Sequence, residues 1–280
     1  MVRTALSLVM FAGLVVAGAG AYAAEPVLTI TFGAEVRSFD TTALLARPEA
    51  RSIVVPHDVA YRREASYRAV PLLALLDGLP LDHAETIAAR ATDGYVAQLP
   101  MALLRKAATG GAVPWLAIEE PGSPWPALPG KSFSAGPFYL VWIDPERSSI
   151  GKEQWTYALA ALAAVEAPAQ RWPQIAVDPA LPAEAIERRG QALLIFHCLP
   201  CHRVRGGGEG EMGPDLVHPH SPTEYMSAEG LKAQIRNPKS LRSWPAQQMP
   251  SFDETALPAA DIDAIVAYLR HMAGRRDAAR

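Results

Sequence analysis

Two cysteines occur in the 280 residues, three positions apart, and a histidine follows the second: Cys198-Leu199-Pro200-Cys201-His202. Two thiols so spaced on a tight turn can each form a thioether with a vinyl group on one edge of a porphyrin, and the adjacent imidazole can then bind iron. C-x-x-C-H is the order of c-type haem attachment. Other chemistries compete for the same residues. A zinc site needs four ligands, and no second paired cluster accompanies these thiols. A thioredoxin-like redox pair expects a strand before it and a helix N-terminus after it. Here the preceding residues read as helix and the following Gly206-Gly207-Gly208 as loop. Covalent haem is the favoured reading, and a plain disulfide is the alternative that stays open.

The N-terminus supplies the compartment such chemistry needs. Arg3, the apolar run from Leu6 to Val16, and Ala21-Tyr22-Ala23 follow the order of a secretory signal peptide, with cleavage expected after Ala23 or Ala24. The expected location is therefore the periplasm, with no stable membrane span after cleavage, because no later segment is long and apolar enough to cross a bilayer. Half of the residues are apolar and the chain length suits two domains. The formal charge of −3 comes from 26 basic and 29 acidic residues without a long run of either, which leaves no footprint for nucleic acid.

Around the motif the pattern is helical. Residues 183–197 follow Pro182 and carry apolar Ile186, Leu193, Leu194 and Phe196, and 258–272 repeats Ile262, Ile265, Val266 and Leu269 on one face. Four methionines (Met212, Met226, Met249, Met272) and four histidines (His197, His218, His220, His271) are candidates for a second axial ligand. Over residues 183–274 the chain resembles the class I cytochrome c family. The resemblance implies an all-α domain with one covalent haem c on Cys198 and Cys201. It places His202 as the proximal iron ligand and Met249, in Gln247-Gln248-Met249-Pro250-Ser251-Phe252, as the other axial ligand. It also implies that the Pro214 carbonyl in Gly213-Pro214-Asp215-Leu216 accepts the second ring N–H of His202. Gly190 and Leu194 would pack against the last helix, where Tyr268 and Leu269 match the family's closing pair. A thioether ligand raises the potential, which suits onward electron transfer.

Residues 24–167 read as a separate α+β domain, and Pro168, Pro173, Pro179 and Pro182 mark 168–182 as a Pro-rich linker. Strands are expected at Val27–Phe32, at Arg51–Val55 ended by Pro56, and at Pro137–Ile143. A short helix is expected after Pro71, stopped by Gly78, and a hairpin about Asp93-Gly94. Tyr67-Arg68-Ala69-Val70-Pro71-Leu72, Asp93-Gly94-Tyr95 and Gly136-Pro137-Phe138-Tyr139-Leu140-Val141-Trp142 resemble the molybdopterin-binding domain of the sulfite oxidase-like family. Catalytic members of that family hold molybdenum through a cysteine thiolate, and this domain has no cysteine. The resemblance therefore implies a non-catalytic relative and no molybdopterin. His57-Asp58 and Asp82-His83 read as surface polarity, Trp115, Trp125, Trp142 and Trp155 as core, and residues 275–280 as a polar tail.

The expected function is a periplasmic c-type cytochrome, passing single electrons between a dehydrogenase donor and an oxidase or cytochrome acceptor. The alternative is a haem-containing oxidoreductase whose N-terminal domain binds a pterin or metal and is catalytic. A haem sensor with a labile Met249 is a third reading.

Overall fold

The computed structural model describes residues 25–81 and 84–275. The expected signal peptide, the Asp82-His83 pair and the chain beyond Arg275 lie outside the described residues. β1 (Val27–Phe32) and β2 (Glu35–Asp40) form an antiparallel hairpin. Asp40 then caps α1 (Thr41–Leu45), its carboxylate accepting the Ala43 N–H at 2.7 Å. β3 (Arg51–Asp58) runs on past Pro56, where the sequence pattern ended it. Its pairing with β4 (Arg63–Pro71) shifts register between Val55 and Asp58, so the proline, which has no N–H to give, sits at a break in the ladder. Pro71 leads into α2 (Leu72–Leu75), and β5 (Thr86–Ala91) and β6 (Val96–Pro100) form the hairpin expected about Asp93-Gly94. α3 (Met101–Lys106), β7 (Val113–Ile118), β8 (Phe138–Ile143) and β9 (Leu159–Val165) complete the domain.

The strands make two sheets. One has the order β2-β1-β9-β5-β6, with β1 and β9 parallel, and the other the antiparallel order β3-β4-β7-β8. A single apolar cluster draws Leu28, Ile30, Ile87 and Leu162 from the first and Val55, Leu116, Tyr139 and Leu140 from the second. Trp115, Trp142 and Trp155 are buried in it, as expected of large apolar surfaces, while Trp125 stays half-buried.

The segment that joins the two halves is packed. α4 (Pro168–Arg171) and a 3-10 turn bring Ile175 and Val177 into the C-terminal core, and the Ile175 carbonyl accepts the Tyr268 hydroxyl at 2.6 Å. The Pro-rich composition therefore marks an irregular path, in which Pro168 and Pro173 open short helical turns without freeing the chain. α5 (Ile186–His197) starts three residues later than the helix pattern, after a turn closed by the Ala185 N–H and the Pro182 carbonyl. α6 (Pro222–Tyr225), α7 (Ala228–Arg236) and α8 (Pro238–Leu241) lead to α9 (Ala259–Arg275). α5 and α9 cross at Gly190, where a Cβ would fall on the Ala264 carbonyl, so only glycine permits this approach. Leu194, Tyr268, Leu269 and Met272 fill the core around the crossing.

Candidate haem site

Cys198 ends α5, and the chain folds over it at once. The Cys201 and His202 amides both donate to the Cys198 carbonyl, at 3.0 and 2.9 Å, which holds the two sulfurs and the imidazole on one tight turn. Both cysteines are free. Burial, with the nearby Glu153 charge, raises the Cys198 thiol strongly and pushes Cys201 up to about 11. A catalytic dithiol needs a lowered pKa, and both thiols here are shifted the other way.

His202 is oriented by its far nitrogen. Its Nδ1–H donates to the Pro214 carbonyl at 2.7 Å, which fixes the tautomer and leaves Nε2 as the basic atom. Burial lowers the imidazole pKa, against the opposing pull of the Pro214 bond and Asp215, so the ring is neutral and able to bind a metal. Gly213 lies directly against the ring, where a Cβ would overlap the imidazole. Asp215 pins the loop between the two. Its carboxylate accepts the amides of Arg205, Gly206, Val217 and His218 at 2.6 to 3.1 Å. Burial alone would raise its pKa, but these bonds hold it below the ordinary value. Nothing in Gly213-Pro214-Asp215-Leu216 as a sequence marks this role of Asp215, because the four amides it binds lie on both sides of it in the chain.

The other candidate ligands separate by environment. His218 and His220 are exposed, His271 accepts the Asp178 amide through Nε2 at 3.1 Å, and His197 is engaged with Glu153. Met272 is buried core and Met212 is exposed, while Met226 and Met249 border the C-terminal core. The Met249 sulfur, in an irregular stretch before α9, accepts from the Gln234 amide at 3.5 Å. Two residues earlier, both polar atoms of the Gln247 side chain are buried without a partner. Two free thiols and a neutral imidazole with one nitrogen to spare, all on one turn, are groups that suit a covalent haem, and the Met249 thioether packs against the same core as Cys198. Residues 187–273 match the cytochrome c family model. This cytochrome c domain supports a haem-based electron-transfer role and implies covalently attached haem c. No curated protein matches the chain.

In the N-terminal domain His57 and Asp58 part company. His57 is exposed, whereas Asp58 is buried and accepts the Tyr61 amide at 2.7 Å and the Tyr67 hydroxyl at 2.9 Å, so the expectation of surface polarity fails for Asp58. Burial raises the Asp58 pKa. Tyr61, Tyr67 and Trp125 line a pocket of about 360 Å³ beside it. Among the described residues, no group of three or more His, Cys, Asp or Glu side chains is placed to hold a metal ion, and no helix is long and apolar enough to cross a membrane.

Sequence reasoning missed the contacts between the domains. Glu153 and Gln154, on a short turn before β9, reach His197 and the Phe196 carbonyl, while Arg90 and Arg171 both pair with Glu209. Glu153 lies 44 residues from its partner, and no motif links them.

Proposed function

We propose that this protein is a periplasmic one-electron carrier, holding one haem c through Cys198 and Cys201 with His202 and Met249 as axial ligands. The observation that carries the reading is the aimed imidazole: His202, next to Cys201, is tied through Nδ1 to Pro214, so that Nε2 alone is left to bind. Bound haem would supply an Fe(III)/Fe(II) couple. The chain's part is to keep the ligand set the same in both oxidation states. Pro214 holds the imidazole, Asp215 holds Pro214's loop, and Gln234 contacts the sulfur of Met249. A neutral imidazole and a neutral thioether add no charge to the site, which favours reduced iron and a raised potential.

The donor and acceptor are taken to be periplasmic redox proteins, a dehydrogenase on one side and an oxidase or another cytochrome on the other. The N-terminal domain is read as a non-catalytic relative of the sulfite oxidase-like molybdopterin-binding domain. In support, its three resembling segments fall at the end of β4, on the β5–β6 turn and on β8, and the chain has no cysteine outside the haem motif. Spectroelectrochemistry of protein isolated from the periplasm tests the carrier role. One reversible one-electron wave is expected, shifted to lower potential in Met249→His. A wave indifferent to that change would count against Met249, and the absence of any wave would count against the carrier.

A further inference from the structure

The cysteine-bearing turn is not an open surface. Gln154, fully buried in the N-terminal domain, donates to the Phe196 carbonyl at 2.8 Å. That carbonyl belongs to the last turn of α5, whose acceptors lie beyond the reach of the helix's own amides; the Cys198 and Leu199 amides serve the Leu194 carbonyl, and the other domain serves that of Phe196. The Phe196 ring packs against the N-terminal core. One residue on, His197 pairs through Nδ1 with Glu153, and both side chains are at most 3% exposed. The opposite edge of this assembly reaches the methionine loop: the His197 ring meets Phe252 edge-on at 5.8 Å, and Phe252 lies three residues beyond Met249. Tyr95, on the β5–β6 hairpin, donates to the Glu153 carbonyl at 2.6 Å and lines one cleft with Pro200 and Gly208 of the cysteine-bearing loop. At the rim Arg90 and Arg171 close on Glu209.

An imidazole and a carboxylate sunk together in an interface gain little net stability, because both lose water. What they do supply is one permitted docking geometry. The packed joining segment points the same way, since it gives the domains no slack. We propose that the N-terminal domain is the resident docking partner of the cytochrome c domain. It is a fixed cover, seated by Glu153, Gln154 and Tyr95, that closes the cysteine-side face to other proteins. The inference rests on the haem reading above. An outside protein meets that face only when the cover lifts, whereas a small reagent is not held off.

Two variants loosen the contact from the cytochrome c side: Glu209→Arg sets a third cation beside Arg90 and Arg171, and His197→Ala removes the partner of Glu153. The full-length holoprotein, reduced, is mixed in a stopped-flow instrument with oxidised azurin, a protein-sized acceptor that takes one electron from Fe(II) at its Cu(II). It is mixed in parallel with hexacyanoferrate(III), a small acceptor of one electron. In both variants the azurin rate is expected to rise about tenfold or more, with the hexacyanoferrate rate within about threefold of the parent. Amide exchange at residues 196–202 should speed up while the haem spectrum is unchanged. Azurin rates within about twofold of the parent in both variants would overturn the proposal. A colourless parent protein would instead defeat the haem reading and this inference with it, so colour tells the two failures apart.

Discussion

In the N-terminal domain the largest fully buried side chains, Trp142, Tyr139 and Phe138, belong to one apolar cluster, and the buried carboxylate of Asp58 finds its donors inside the same fold. The cytochrome c domain is different. Its helices pack at Gly190, yet one turn carries two unbridged thiols beside a histidine that is held through Nδ1. A small helical domain buries a modest fraction of its surface and leans on anything that adds to its core. The contrast teaches that one half is stabilised by its own side chains, while the other is shaped around a group the sequence must bind.

Removing that group should break the comparison most severely. In Cys198→Ser/Cys201→Ser the cytochrome c domain is expected to lose its cooperative unfolding, because binding and folding share one free energy, while the sheets keep a transition of their own. Calorimetry checks this, and loss of both transitions together would mean that the halves do not differ as argued. Next in size, Gly190→Ala forces a methyl group into the α5–α9 crossing and should cost about 1–3 kcal/mol, read as a lowered denaturant midpoint for the helical half alone.

Acid should separate the domains by sign. Asp215 has a folded pKa below its ordinary 3.8, so its contribution is present above 3.8 and is lost as pH falls through the folded value. Asp58 is shifted upward from 3.8, so its contribution runs the other way and weakens as pH rises from 3.8 through the folded value. Asp215→Asn should therefore flatten the acid limb of the helical half below pH 3.8, and Asp58→Asn should flatten the opposing trend in the sheets above it, both measured by denaturation scans that extend to either side of that pH. The smallest effect is expected at Tyr139. Its buried hydroxyl lies beside the Asp58 carboxylate without a well-formed hydrogen bond, so Tyr139→Phe should shift stability by about 1 kcal/mol or less.

What the sequence disclosed follows the same division between near and far. Cys198, Cys201 and His202 are adjacent, so their spacing alone speaks of the turn that joins them, and the periodicity of 258–272 located α9 to within a few residues. The Asp93-Gly94 hairpin was equally local. Pairing between distant residues left no such mark. Glu153 and His197 look like ordinary polar residues until the fold buries them together, and Ile175 and Val177 are hidden among prolines that read as linker. Asp58 misled for a related reason: two tyrosines from the neighbouring strand and turn supply what water would otherwise give it.

Intact-mass spectrometry of the denatured protein, made in a host competent for cytochrome maturation, tests the central claim most directly. The account predicts the mass of the chain plus one haem, retained through denaturation and lost only when Cys198 and Cys201 are both replaced. A parent protein that runs at the mass of the bare polypeptide, with the two sulfurs free or joined to each other, would contradict it.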